Sequence, residues 1–279
     1  RKGQLAAVRP NGQVVIIGGV DPSESHPFRR WEASFDVYEP DTQLWKPRRA
    51  IQRPEPSLNP RDPQRLFAFP NGEPFFATYW ADPRTPAVSP QDPARIYSFE
   101  EDAWKEVALT SLVREVLGPV NSLPLMLAPD SDHLRLVGGM SYSPGSAGGY
   151  NYNSVAKVFE FSRTTNEWRA LQSMNTRRSQ AAGCVMSDGR MFVTCGMTID
   201  VIDGFPSPEE YHTQLISSEL YDPSTGQWGA IAASPRTHML STTFALQDSR
   251  ILVLAGGLTS AVDMYDPGTN GWLQLGDLS

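Results

Sequence analysis

Arginine carries most of the positive charge in this 279-residue chain: of 24 Lys and Arg, four are lysine and 20 arginine. About half the arginines fall in turn-rich segments between apolar runs: Arg29, Arg30, Arg48, Arg49, Arg53, Arg61, Arg84, Arg177, Arg178 and Arg236. A guanidinium offers a planar fork for carboxylate or phosphate, so such groups gathered on one face would hold an acidic or phosphorylated peptide, or an anionic small molecule. The same segments carry Asp21, Glu24, Glu32, Glu55, Asp62, Asp82, Asp92, Asp200, Asp203, Glu209 and Glu210. Arginines paired with these, or bonded to backbone carbonyls, would be structural instead. Residues 140–154, MSYSPGSAGGYNYNS, hold Tyr142, Tyr150 and Tyr152 among Ser, Gly and Asn, a composition suited to adaptable recognition or to a glycine loop whose tyrosines lie on a neighbouring element. Tyr211-His212 is a further polar pair, while Trp31 and Trp80 are anchors or packing residues. Cys184 and Cys195 read as small buried hydrophobes; pairing around Asp188-Gly189 sets Cys184 opposite Val193. There is no glycine-rich phosphate loop, nucleophile elbow or zinc signature, and neither a metal nor a cofactor is expected.

Composition narrows the field. Hydrophobic residues are 40% and aromatics 10%, enough for a core; Gly and Pro together are about 16%, turn-rich without being low-complexity. The net charge of −7 argues against affinity for nucleic acid built on phosphate neutralisation. No apolar run is long enough for a membrane-spanning helix. Two cysteines cannot make a disulfide framework. The first residues, Arg1-Lys2-Gly3-Gln4, lack an initiating Met, so the chain reads as a processed product or a fragment, and no compartment is assigned.

The elements that must position these residues repeat. Trp45, Trp104, Trp168, Trp228 and Trp272 each follow an aromatic by seven residues: Tyr38, Tyr97, Phe161, Tyr221 and Tyr265. The stretches YEPDTQLW, YSFEEDAW, FSRTTNEW, YDPSTGQW and YDPGTNGW read as strand, tight turn, strand. Upstream of each lies a second hairpin, turning at Pro10-Asn11-Gly12, Pro70-Asn71-Gly72, Pro129 to Asp132, Asp188-Gly189 or Asp248-Ser249. Each unit is four short antiparallel strands, a to d. Strand b is apolar at almost every position, hence covered on both faces, and such sheets in series stack radially as blades.

Apolar strand, Gly-Gly, Tyr-Asp-Pro and Trp together resemble the kelch repeat, over Leu5 to Leu275. The Gly pair is intact in units one, three and five, becomes Cys195-Gly196 in unit four and is replaced by Ala77-Thr78 in unit two. No Trp-Asp dipeptide supports the rival WD repeat. The resemblance implies an all-β kelch β-propeller, as in the central domain of galactose oxidase-like proteins. The expected organisation is a single domain, 1–279, with blades near 4–46, 64–106, 122–170, 179–230 and 238–275, forming a five-bladed ring or part of a larger one.

In a four-stranded meander the b–c and d–a loops open on one side. The long segments fall there: b–c at 20–34, 79–94, 140–154 and 197–216, and d–a at 46–63, 105–122 and 169–180, with helical spacing at 110–118. The expected function is therefore a binding module for a protein partner, through an acidic or phosphorylated segment, on this face. Arg29, Arg30, Arg48, Arg49, Tyr142, Tyr150, Tyr152, Arg177, Arg178, Tyr211, His212 and Arg236 are the candidate binding residues. The resemblance also implies two enzymatic alternatives. A sugar-acid mutarotase would use Arg178 and Arg236 on the carboxylate, with Glu210 or His212 moving a proton. A copper radical oxidase needs two His and two Tyr to converge, and His26, His133, His212 and His238 are the histidines available. A scaffold propeller within a larger assembly is the third class.

Overall fold

A computed structural model describes residues 5–17, 35–47, 65–77, 94–110, 113, 116, 124–144, 150–202, 209–257 and 259–278. The chain divides into two compact units, Arg1–Leu109 with Asp130–Asp132, and Thr110–Pro129 with His133–Ser279. The first holds β1 (Leu5–Val8), β2 (Val14–Ile17), β3 (Phe35–Glu39) and β4 (Leu44–Pro47), then β5 (Arg65–Ala68), β6 (Pro74–Ala77), β7 (Ala94–Ser98) and β8 (Ala103–Val107). The second begins with β9 (Leu125–Leu127), β10 (His133–Val137), β11 (Met140–Pro144), β12 (Tyr150–Ser154), β13 (Val158–Ser162) and β14 (Glu167–Ala170). It continues with β15 (Ala182–Val185), β16 (Met191–Thr194), β17 (Met197–Ile202), β18 (Glu209–Gln214), β19 (Ser218–Asp222) and β20 (Gln227–Ile231). It ends with β21 (Thr242–Ala245), β22 (Ile251–Leu254), β23 (Ala261–Asp266) and β24 (Gly271–Asp277).

Among the described residues, six four-stranded antiparallel sheets form. Five have the expected a-b-c-d order: β1-β2-β3-β4, β5-β6-β7-β8, β9-β10-β13-β14, β15-β16-β19-β20 and β21-β22-β23-β24. The sixth, β11-β12-β17-β18, comes from the two b–c segments at 140–154 and 197–216, whose residues alone read as loops. Their strands have local reasons. Tyr-Asn-Tyr-Asn alternates with period two, and Met-Thr-Ile-Asp-Val-Ile is rich in β-branched residues.

The seven-residue spacing has a geometric cause. Tyr38, Tyr97, Phe161, Tyr221 and Tyr265 each lie directly opposite their Trp across the c–d pair. The ring centroids are 5.1 to 5.4 Å apart. The residue two before each Trp is left-handed: Gln43, Asp102, Asn166, Gly226 and Asn270 have φ between 49° and 71°. The a–b hairpins are equally uniform. In four of them a three-residue loop is closed by the flanking pair, as Met186 N to Arg190 O at 2.8 Å, and its last residue has positive φ: Gly12, Gly72, Gly189 and Ser249. This loop sets Cys184 opposite Phe192, one residue from the expected Val193, because the turn holds Ser187 as well as Asp188-Gly189.

Sheets in the second unit stack through these aromatics. Leu127, Val137 and Val158 pack with Met191, Val193, Tyr221 and Trp228; Ala182 and Phe192 pack with Ile251, Val253 and Tyr265. Trp228 Nε1 donates to Gln172 O and Trp272 Nε1 to Ala232 O, both at 2.9 Å, tying each sheet to the end of its predecessor. In the first unit Val15 and Val37 pack with Tyr97. Val113 and Val116, inside the segment expected to be helical, are helical and fully buried.

At the end of strand b two successive residues turn left-handed: Gly138-Gly139 (φ 66°, 98°), Cys195-Gly196 (56°, 79°) and Ala255-Gly256 (47°, 104°). Gly139 N donates to Arg178 O and Gly196 N to His238 O, each at 2.8 Å, so the second position receives the next d–a connection. A Cβ at Gly196 would lie 2.4 Å from Ser179 O. Gly196→Ala is therefore expected to destabilise the fold by roughly 2–4 kcal/mol in denaturant unfolding; a loss under about 0.5 kcal/mol would refute the close approach.

Candidate functional site

The sixth sheet stands on the d–a connection that precedes β15. Ser179 and Met197 exchange backbone hydrogen bonds, Ser179 N to Met197 O at 2.9 Å and Met197 N to Ser179 O at 3.0 Å. The buried Ser154 hydroxyl accepts from Ile199 N at 2.8 Å. Arg177 closes a two-pronged fork on Asp200, Nη1 to Oδ1 and Nη2 to Oδ2, both 2.7 Å. The register sets Ser141, Asn153, Asp200 and Tyr211 in one cross-strand row, and Tyr142, Tyr152, Val201 and Glu210 in the next. Tyr150 pairs with Pro144, and His212 pairs with the buried Ile199. Tyr211 is 56% exposed and His212 is exposed beside it.

Arg178 is different from its neighbour: it is fully buried. Its guanidinium donates to Cys195 O (2.9 Å), Ser217 O (2.8 Å), Ser217 Oγ (3.1 Å) and Glu219 Oε1 (3.0 Å). Glu219 also accepts from Asn175 N and Thr176 N at 2.7 and 2.9 Å. Burial lowers the Arg178 pKa, and the hydrogen bond and charge of Glu219 offset part of that. The next connection repeats the device. His238, also fully buried, meets Asp263 Oδ2 through Nε2 at 2.8 Å and Ala255 O through Nδ1 at 3.2 Å. Arg236 grips the same Asp263 through Nε and Nη2 at 3.0 and 2.8 Å, and Asp277 through Nη1 at 2.7 Å. The hydrogen bond that Arg236 donates to Asp263 is the main cause that raises the Arg236 pKa. A third carboxylate, Glu160, accepts from Arg135 at 2.7 Å and Arg169 at 2.8 Å. Burial alone would push the Glu160 carboxyl up, but those two arginines hold it below the usual carboxylate range.

The structure thus brings Tyr152, Arg177, Tyr211 and His212 to one sheet and its support, with Tyr142 and Tyr150 on the strands of that sheet. It places Arg178 and Arg236 in the seams between sheets, holding carboxylates of the following repeat. Arg29, Arg30, Arg48 and Arg49 lie outside the described residues, as do Arg53, Arg61, Arg84, His26, Trp31 and Trp80. Glu219 and Asp263 were missed as the partners of these cations. A signal existed: each stands two residues before its repeat aromatic, Tyr221 or Tyr265.

Both ring nitrogens of His238 are engaged, which leaves none for a metal. Among the described residues no group of three or more His, Cys, Asp or Glu is placed to hold a metal ion. Both cysteines are free thiols. Burial pushes the Cys184 thiol up to about 12, and burial also raises Cys195.

Against known proteins, no protein-family model matches the chain. An F-box/kelch-repeat protein of Arabidopsis thaliana is 29% identical over 149 residues, 52% of this chain and 38% of that relative's length. Two solved structures share the fold. A fungal alcohol oxidase of the AA5 family, in complex with copper, has a TM-score of 0.55 at 19% identity, covering 91% of this chain and 48% of that one. YjhT has a TM-score of 0.61 at 10% identity, covering 99% and 84%. The chain has the fold of a kelch-type β-propeller.

Two outcomes separate structural from surface roles. Arg178→Ala leaves a buried carboxylate without its cation and is expected to cost about 3–5 kcal/mol of unfolding free energy. Arg177→Ala breaks a half-exposed pair and is expected to cost under about 1 kcal/mol. In the native protein at pH 8, both thiols are expected to resist iodoacetamide, read by mass, and to react on unfolding. Rapid native labelling of Cys184 would contradict its environment.

Proposed function

We propose that the chain is a protein-binding module whose recognition surface in the second unit is the sixth sheet with the connection that supports it. The sixth sheet itself carries this reading. Two b–c segments from successive repeats join into ordered structure that none of the other five sheets requires. Strands β11 and β12 are rich in tyrosine, asparagine and serine, β17 is mainly aliphatic, and β18 is exposed over residues 211–214. The relative's description as an F-box/kelch-repeat protein is consistent with a role in recognising another protein. The expectation of an acidic or phosphorylated ligand loses support here, because Arg177, Arg178 and Arg236 already hold carboxylates of the chain.

Peptides selected by display on the intact protein provide the test. Bound peptides are expected to slow hydrogen exchange over 140–154 and 197–214, and Tyr152→Ser with Tyr211→Ser is expected to weaken binding about tenfold. Protection confined to other segments would overturn the assignment of this surface.

A further inference from the structure

Two seams of the second unit are closed at the same place by different cations. Arg178 and His238 each stand four residues before strand a of their repeat, β15 or β21, and each is fully buried. Arg178 donates to Cys195 O, at the first left-handed residue after β16, and to Glu219, two residues before Tyr221. His238 faces the equivalent pair: Ala255 O, at the first left-handed residue after β22, and Asp263, two residues before Tyr265. The place thus offers one main-chain carbonyl and one carboxylate, and asks for two donors. Arginine supplies them at any pH; an imidazole does so only with a proton on both nitrogens. Arg236 clamps Asp263 by Nε on Oδ2 and Nη2 on Oδ1, so both of those oxygens accept. Nε2 of His238 therefore donates to Asp263 Oδ2 at 2.8 Å. Ala255 O, which also accepts from Ser241 Oγ, can only accept, so Nδ1 at 3.2 Å is bonded when it too carries a proton. Charge points the same way. Asp263 of β23 faces the ring, and Arg236 of the same connection joins it to Asp277 of β24, a group with one net negative charge that an imidazolium cancels. Cys195, at the end of β16, adds none, because burial raises its thiol, and Arg178 lies beyond the Cys195 carbonyl, paired with Glu219. The backbone of His238 belongs to the other side of the seam, where Gly196 N donates to His238 O at 2.8 Å. This one residue therefore links the two sheets.

We propose that His238 makes the seam before β21 a proton-dependent latch, closed while the ring carries both protons and loosened when Nδ1 gives its proton to solvent. Without that proton two lone pairs meet at 3.2 Å, and the buried carboxylate of Asp263 belongs to a group with excess negative charge. The closed seam holds a proton that an imidazole in the unfolded chain releases above roughly pH 6.5. Its contribution to stability is therefore fully present below that range and is lost as the pH rises. The preceding seam, held by Arg178, keeps its charge throughout and is the internal control. This inference stands apart from the binding reading above.

The test uses the full chain. Imidazole nitrogen shifts are expected to show both nitrogens of His238 protonated at pH 6. Hydrogen exchange, corrected for the intrinsic rate, is expected to quicken about tenfold over β21–β24 between pH 6 and pH 8.5. The sheet beyond the Arg178 seam, β9-β10-β13-β14, is expected to keep its protection over the same interval. His238→Gln, neutral throughout, is expected to exchange fast over β21–β24 at both pH values. A bare nitrogen on His238 at pH 6, or protection of β21–β24 that does not change with pH, would overturn the proposal, and both are read on the unsubstituted chain, whether or not the variant folds. An unaltered pH dependence in His238→Gln would overturn it as well, by assigning the proton to another group.

Discussion

Three of the described repeats depend on a backbone turn that side chains resist. Two consecutive left-handed residues at the end of strand b swing the chain out of the sheet, and at Gly139 and Gly196 the N–H bonds the following d–a connection. The first position accepts Cys195 and Ala255, but the second is glycine at 139, 196 and 256. At 196 and 256 a Cβ would meet a backbone carbonyl at 2.4 Å. Because the connection is fixed there, the residue four before β15 or β21 is carried into the seam, where Arg178 or His238 meets a carboxylate of the next sheet. The aromatic–Trp pair then closes the same seam from the other end through an indole hydrogen bond to the preceding repeat.

These buried pairs show how composition misleads about function. Arginine outnumbers lysine five to one, which suggests an anion-binding face. The described arginines of the connections instead act as internal ties, for which a rigid, multidentate cation is suited. Buried, such a pair is weak support for stability against an apolar substitute, yet removing one partner alone is costly. Their value here is positional: a cation that must find one carboxylate fixes which connection enters which seam.

The repeat was legible in sequence because its determinants are local. A Trp seven residues after an aromatic is one hairpin, and its turn residue adopts a left-handed conformation whether it is Gln, Asp, Asn or Gly. The sixth sheet was not legible, because its central pairing joins β12 to β17 across 47 to 49 residues and its hairpins carry the Gly, Ser and Pro of ordinary loops. The role of Arg178 was hidden for the same reason: Glu219 lies 41 residues away. The register of Cys184 failed on a smaller matter, the inclusion of Ser187 in the turn.

A chain of repeats that touch only their neighbours behaves as a one-dimensional array, in which each seam can open nearly independently of the others. The β12–β17 pairing breaks that independence at one place. It rivets the third repeat to the fourth with a ladder lying outside both blade sheets, so those two cannot part without also unzipping the added sheet. Under force or partial unfolding the pair should yield as one cooperative block, while the seam before β21, lacking any such rivet among the described residues, gives way first.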